Sequence, residues 1–264
     1  MLKGKTALVT GSTRGIGAAA AAALAAEGCN VMLNGFGDDA EIEKQRASLA
    51  HDHGVGVAYC DADLADVPQI RHLVSQTTEH LGPPDILVNN AVIRYFASID
   101  EFAPEEWDHA LAVNLSAPFH LIRLVLPGMR RRHWGRIVNI SSVLGLGARS
   151  GRVDYVTTKT GLIGLTRAVA AETRAAGNIT CNAICPGAVL TPNTEVKIAE
   201  LAEAEGLSPE EARSEYLSRR DQPTDFIDPA RVARLIRFLC KDESFDMNGA
   251  AIPIDNARSA AWLE

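Results

Sequence analysis

Two side chains that could move a proton stand four residues apart in the run Asp154-Tyr155-Val156-Thr157-Thr158-Lys159. On a helix that spacing places the phenol and the ammonium on one face. A cation beside a phenol favours the phenolate and lowers a pKa that is otherwise about 10. Such a tyrosine can act as an acid or a base near neutrality. The pair alone is weak evidence, because Tyr-x-x-x-Lys is common by chance. Its weight comes from what lies upstream.

Upstream stands Gly11-Ser12-Thr13-Arg14-Gly15-Ile16-Gly17, between a short apolar run and an alanine-rich stretch. Glycines at such a turn permit a tight bend, close approach of the backbone to a pyrophosphate, and close packing of helix on strand. The helix N-terminus adds unpaired N–H groups and a positive dipole end. The spacing is Gly-x3-Gly-x-Gly rather than Gly-x-Gly-x-x-Gly. In this strand–turn–helix setting it points to a dinucleotide, against the plainer reading of a packing turn.

The elements that must position these groups alternate along the chain. Apolar runs at 6–10, 31–34, 55–60, 86–90, 136–141, 179–184 and 250–254 read as buried strands. Helical patterns fall at 16–27, 38–53, 67–81, 104–132, 155–176 and 229–240. The long one is expected to break near Pro118 or Pro127. Strand–helix alternation with short apolar strands means a parallel sheet covered on both faces. Right-handed crossovers then give an α/β doubly wound sheet of about seven strands. A helical insertion at 195–218 lies in the segment 193–226, which ends in the stop Asp221-Gln222-Pro223 and reads as a mobile substrate lid rather than a second domain. The whole chain, 1–264, reads as one domain.

A chain of 264 residues can bury a full core, and its 47% hydrophobic and 22% charged residues suit a soluble globule. A net charge of −7 argues against a general nucleic-acid binder or a membrane-surface protein. No stretch is expected to span a bilayer, because the apolar ones are interrupted within about a dozen residues. Met1-Leu2-Lys3-Gly4-Lys5 runs straight into a strand pattern, with no room for a signal peptide. A cytoplasmic protein with reduced, packed thiols at Cys29, Cys60, Cys181, Cys185 and Cys240 is expected. Cys181-x-x-x-Cys185 and His51-Asp52-His53 are poor metal motifs, lacking further ligands. Arg130-Arg131-Arg132-His133 reads as a solvated helix end. Trp107, Trp134 and Trp262 read as packing or interface residues.

Thr10-Gly11-x-x-x-Gly15-x-Gly17, Asn89-Asn90-Ala91, Asn114, Ser142, Tyr155-x-x-x-Lys159 and Pro186-Gly187 together resemble the short-chain dehydrogenase/reductase family over nearly the whole chain. A nearer resemblance is to the bacterial D-3-hydroxybutyrate dehydrogenases. It rests on Asn34-Gly35-Phe36-Gly37-Asp38-x-Ala40-Glu41-Ile42-Glu43-Lys44, on Asn182 to Gly187, and on Leu201-Ala202-Glu203-x-x-Gly206. The resemblance implies a Rossmann-type fold and hydride transfer with a nicotinamide cofactor. It assigns Ser142 to the reacting oxygen, Tyr155 to the proton, Lys159 to the nicotinamide ribose and the tyrosine pKa, and Asn114 to a relay water. Ser142 is chosen over Ser141 because it stands thirteen residues before Tyr155; Ser141 should point the other way. Hydride transfer leaves or consumes an alkoxide, so one donor must stabilise it and one group must carry its proton.

For the cofactor the resemblance implies Gly11, Thr13, Arg14, Gly15, Ile16 and Gly17 at the phosphates, Phe36, Asp63 and Leu64 at the adenosine end, Asn90 at the ribose, and Pro186, Gly187, Val189 and Thr191 at the carboxamide. The second strand ends without an acid for a ribose 2′-OH, and Arg14 could pair a 2′-phosphate. The relatives with the same Asn-Gly-Phe-Gly loop use NAD, so NAD is expected and NADP stays open. Two departures stand out: Val92 where the family has glycine, and Asp255-Asn256-Ala257 in place of Asp-Gly-Gly.

In the hydroxybutyrate enzymes a Gln, a His, a Lys and a second Gln hold a small carboxylate beside tryptophans. Aligned on the motifs, those positions are Arg94, Leu144, Arg152 and Lys197 here, and two tryptophan positions become Ala188 and Arg258. Four cations then face one small cleft of an acidic protein. Arginine forks suit carboxylate, sulfonate or phosphate, so a hydroxy acid larger or more anionic than 3-hydroxybutyrate is expected. The plainer alternative pairs Arg94 or Arg258 with a lid acid, Glu195 or Glu200. A 3-hydroxybutyrate dehydrogenase with a rebuilt pocket and a retired, nucleotide-sensing scaffold are the competing functions. A homotetramer is what the resemblance implies.

Overall fold

The computed structural model describes residues 2–220 and 225–261. The stop Asp221-Gln222-Pro223 and Trp262 lie outside the described residues. Seven strands, β1 (Thr6–Val9), β2 (Asn30–Asn34), β3 (Val57–Cys60), β4 (Ile86–Asn89), β5 (Trp134–Ile140), β6 (Asn178–Pro186) and β7 (Ala251–Ile254), form one sheet in the order β3-β2-β1-β4-β5-β6-β7. All pairs are parallel, with Val9 opposite both Leu33 and Val88 at the centre. The order reverses between β1 and β4. A crevice therefore opens at their carboxyl ends, where ligands of such sheets bind.

Helices cover both faces, as the unbroken apolar strands require. Ala7, Val9 and Val31 pack with Ala20 and Leu24 of α1 (Gly15–Ala26) and with Val232 and Ile236 of α9 (Pro229–Cys240). Leu8, Met32 and Leu87 point the other way. They meet Ile70 and Leu73 of α3 (Val67–Leu81), Leu121 and Val125 of α5 (Ala117–Arg132), and Val169 of α6 (Val153–Thr173). Each such side chain contributes roughly 1.5–3 kcal/mol by burial. A polar residue at Leu8 or Leu87 would open a core layer. The segment Asp39–His53 forms α2, with Asp38 accepting the N–H groups of Ala40 and Glu41 as its cap.

The long helix breaks in a different way from that expected. Helix α4 (Pro104–Leu111) runs into a π-helical turn, Ala112–Ser116, and then into α5. Pro118 has no N–H for the carbonyl of Asn114 four residues back, and the Ala117 N–H bonds to Ala112 instead. Pro127 sits inside α5 without ending it. The rod Pro104–Arg132 is also long and apolar enough to cross a membrane, contrary to the sequence expectation, although half of its most apolar stretch is buried within the fold. Its last turn is not simply solvated: Arg132 donates through Nε to Asp85 at 3.0 Å and through Nη2 to the Pro84 carbonyl at 2.7 Å. Helix α6 begins two residues before Tyr155 and ends at Thr173, short of the expected Ala176.

Beyond β6 the chain forms two helices, α7 (Pro192–Glu205) and α8 (Pro209–Ser218), joined by Gly206 at φ 65°. Thr191 caps the first, and a reciprocal Ser208–Glu211 box caps the second. Tyr216, Leu217 and Phe226 bury against Ala188, Leu190, Ile198 and Leu201, which holds the pair over the carboxyl end of the sheet. The five cysteines are buried and carry free thiols.

Candidate active site

The end of β5 positions the first group. Ser142 caps a 3₁₀ turn, Val143–Gly145, its Oγ accepting the Leu144 N–H at 3.1 Å. Ser141 turns away and donates its hydroxyl to the Lys159 carbonyl at 2.8 Å, which leaves Ser142 to face the opening. Tyr155 and Lys159 lie on the first turns of α6 and are 7% and 2% exposed. The Lys159 Nζ donates to the Ile140 carbonyl at 2.7 Å and stands 5.6 Å from the centre of the Tyr155 ring. An ammonium has two further protons to give.

Burial alone would raise the Tyr155 pKa. Arg94, then Lys159, the Ser142 hydrogen bond and Arg152 outweigh it, and the phenol lies below its ordinary value. Burial also draws Lys159 below the usual lysine range; Tyr155 opposes this and Arg94 adds to it. The structure brings the serine hydroxyl, a tyrosine whose pKa is lowered and a lysine to one place. Asn114 lies in the π-helical turn. Its Oδ1 accepts the Ile93 N–H at 2.9 Å, and its Nδ2 donates to the Ile93 carbonyl at 3.0 Å. The side chain thereby fixes the backbone leading to Arg94.

A groove of about 650 Å³ runs along the crevice from Arg14 and Phe36 to Arg94. Gly11, Thr13, Arg14, Gly15, Ile16, Phe36, Asp63, Leu64, Asn90 and Thr191 line it. Gly17 is buried behind them and acts through packing: a Cβ there would stand 2.2 Å from the Gly11 carbonyl oxygen and 2.6 Å from Asn90 Nδ2. A Cβ on Gly11, at φ 60°, would meet Ala91 Cα at 2.8 Å. Asn90 is the clamp, donating from Nδ2 to the carbonyls of Thr10 and Gly11 at 2.9 Å each. The tight turn that these close packings hold, open at the start of α1, suits a dinucleotide pyrophosphate. Pro186, Gly187 and Val189 line the adjoining cleft rather than the groove. Val113, His109 and Ile93 were not foreseen as groove residues.

Residues 5–202 match the family model for short chain dehydrogenases. The chain belongs to the short-chain dehydrogenase family. It is 42% identical to a D-beta-hydroxybutyrate dehydrogenase of Cupriavidus necator, over 97% of this chain and 98% of that one. It is 39% identical to an enzyme of the same name from Rhizobium meliloti, over 97% and 99%. Among solved structures, L-sorbose reductase from Gluconobacter frateurii, complexed with NADPH and L-sorbose, superposes with a TM-score of 0.91 at 29% identity, over 96% of both chains. An actinorhodin polyketide ketoreductase variant with NADPH gives 0.87 at 32%, over 97% of both. The chain is thus a nicotinamide-dependent oxidoreductase.

Within this short-chain dehydrogenase the departure at Val92 is accommodated. The valine packs against Val143, Leu144 and Tyr155 and needs no positive φ. The other departure carries a backbone consequence, since Asn256 and Ala257 adopt φ 54° and 65°.

Above Tyr155 and Ser142 lies a cleft of about 150 Å³, whose walls include Leu144, Ala188, Arg94, Arg152 and Arg258 as expected. Lys197 is placed differently. It lines the cofactor groove, with Nζ 4.6 Å from the Phe96 ring centre. Sequence reading missed Arg149 and Arg220, which also line the cleft. Two arginines in the glycine-flanked loop Leu146 to Arg152 could have signalled the first. Nothing local signalled the second. Among the described residues lining the cleft there is no aspartate or glutamate.

Arg94 forms no pair with Glu195 or Glu200. The ion pairs of α7 and α8 are Arg213–Asp225, Arg219–Glu205 and Arg219–Glu215. Arg152 stacks 4.7 Å from the Tyr155 ring centre and 4.0 Å from that of Phe96. Burial, then Arg94, pushes its pKa down to about 10, so it stays charged at neutrality.

Proposed function

We propose that this protein transfers a hydride between a nicotinamide cofactor and the secondary alcohol or ketone of an anionic hydroxy acid larger or more anionic than 3-hydroxybutyrate. The observation that carries the reading is the cleft over Tyr155, walled by Arg94, Arg149, Arg152 and Arg220 with no carboxylate among its described lining residues. Gathering like charges in one cleft, with Arg152 and Arg220 half-buried, is costly. An anion brought in by the substrate offsets that cost.

In the groove, Gly11 to Ile16, Phe36, Asp63, Leu64, Asn90 and Thr191 would hold the cofactor, with Pro186, Gly187 and Val189 at its reactive end. That group supplies a hydride acceptor or donor. Ser142 donates to the carbinol or carbonyl oxygen. Tyr155 takes the alcohol proton in oxidation and returns it in reduction. Lys159 turns its free protons to the cofactor ribose and, with Arg94, keeps the phenolate accessible. Asn114 holds the Ile93–Arg94 backbone at the mouth of the cleft and shapes the path of a relay water. Arg94 and Arg152 fix the carboxylate, and α7 and α8 act as a lid carrying Lys197.

NAD is the proposed cofactor, on the likeness of the loop Asn34 to Asp38. Arg14, exposed at the groove's lip with no ion pair among the described residues, is the feature that favours NADP. The ratio of kcat/KM for the two decides. A cytoplasmic homotetramer of single-domain subunits, spanning 1–264, completes the proposal.

The deciding experiment follows cofactor reduction with a panel of hydroxy acids. Better turnover of larger or dianionic acids than of 3-hydroxybutyrate is expected. Equal or better turnover of 3-hydroxybutyrate makes the protein a hydroxybutyrate dehydrogenase with a rebuilt pocket, the reading that the 42% identity favours.

A further inference from the structure

The arginines around Tyr155 form two groups. Arg94 and Arg152 flank the phenol, with guanidinium carbons 5.1 and 4.7 Å from its ring centre. Farther out, Arg149, Arg152 and Arg220 line both the catalytic cleft and a second cavity of about 310 Å³, whose other walls are Phe96, Ala97, Ser98, Ser150 and Gly151. These three side chains form the partition between the two spaces. The second cavity likewise has no carboxylate among its described lining residues.

Two of the three are held in place by their surroundings. Arg220 lies 3.3 Å from the centre of the Tyr216 ring and donates from Nη1 to the Tyr216 carbonyl at 2.9 Å. Arg152 lies against Phe96 on one side and Tyr155 on the other, and its buried Nε has no hydrogen-bond partner among the described residues. The parallel bridge between Ala97 and Arg152 ties the loop of Phe96 to the start of α6. Guanidinium groups stacked on aromatic rings keep their forks free for planar anions. One carboxylate beside the carbinol can use Arg94 and Arg152. It leaves Arg149, and the part of the Arg220 fork not bonded to Tyr216, without an anion.

Resting on the proposed activity, we infer that Arg149 and Arg220 form a second anion subsite, and that the preferred substrate is a dianion. One carboxylate adjoins the reacting carbinol at Arg94 and Arg152. A second anionic group, at the far end of the chain, reaches the partition and its outer cavity. Arg152 stands between the two and serves both.

The test uses the full-length protein and pairs of 3-hydroxy acids that differ only in a terminal carboxylate: 3-hydroxypentanoate with 3-hydroxyglutarate, and 3-hydroxyhexanoate with 3-hydroxyadipate. The wild type is expected to favour at least one diacid over its monoacid by ~10-fold or more in kcat/KM, the effect of a hydrogen bond to a charged group. In Arg149→Gln/Arg220→Gln that ratio falls towards one, through the KM of the diacid. If the double variant does not fold, each single variant is measured for a partial fall in the same ratio. A wild-type ratio near one for both pairs, or a ratio that survives the substitutions, overturns the second subsite and leaves the hydroxy-acid activity standing. Failure to oxidise either member of both pairs overturns the activity together with the subsite.

Discussion

The guanidinium carbon of Arg94 stands 5.1 Å from the centre of the Tyr155 ring, and it lowers the phenol pKa more than Lys159 does. A residue outside the Tyr-x-x-x-Lys pair thus acts on the phenol in the same direction as the lysine of that pair. On the proposed mechanism, Tyr155 is the base in alcohol oxidation. The rising limb of kcat/KM against pH therefore reports its loss of a proton. Arg94→Gln removes the leading charge, so the phenol pKa rises and the limb moves to higher pH. An unmoved limb, with only KM raised, would show that Arg94 serves the substrate and not the base.

Tyr155→Phe keeps the ring that Arg94, Arg152 and Lys159 surround, but removes the proton carrier. Turnover is expected to fall about 10²–10⁴-fold, the usual contribution of a positioned acid or base. Cofactor affinity, followed by fluorescence titration, should stay near wild type, because Tyr155 is not among the residues that line the groove. Activity within a few-fold of wild type would remove Tyr155 from the chemistry. A wild type inactive on every hydroxy acid, yet binding cofactor tightly, would point to a sensor.

Gly17→Ala tests the cradle. The new methyl would meet the Gly11 carbonyl oxygen at 2.2 Å and Asn90 Nδ2 at 2.6 Å. Both are parts of the turn or its clamp, so the turn must move. Cofactor affinity should drop by more than ~10-fold, with a smaller effect on thermal stability. Unchanged affinity would show that the turn has slack that the geometry does not suggest.

The sequence was most legible where one element decides the outcome. The strands β1 and β4 are buried at every position, and such runs mark a sheet covered on both faces. Tyr155 and Lys159 share one helix, so their spacing sufficed. The π-helical turn was hidden because two prolines looked alike. Pro118 deprives a buried segment at Asn114 of a donor. Pro127 and Arg123, the residue whose carbonyl it deprives, are both exposed, so water can replace the lost bond. Arg149 and Arg220 were illegible for a different reason. They meet only because the loop before α6 and the end of α8 approach the same cleft, and no periodicity encodes that approach. The motif alignment found Arg94 and Arg152 because they flank the tyrosine, but it did not place Lys197, which α7 carries to the cofactor groove instead of the cleft.

The turn that leads to Arg258 bears the remaining strain. Asn256 and Ala257 both sit in the left-handed region, at φ 54° and 65°, just before the 3₁₀ turn Arg258–Ala260. Asparagine visits that region readily, whereas alanine pays about 1–2 kcal/mol for it. Glycine at position 257 removes that cost but gives back roughly 0.5–1 kcal/mol through the freedom it gains when unfolded. The balance favours the substitution. Ala257→Gly should stabilise by about 0.5–1 kcal/mol, or roughly 1–4 °C in Tm for a chain of this length, whereas Asn256→Gly should change Tm little. A lower Tm for Ala257→Gly in a thermal melt would mean that the alanine methyl makes a contact worth more than the strain it costs.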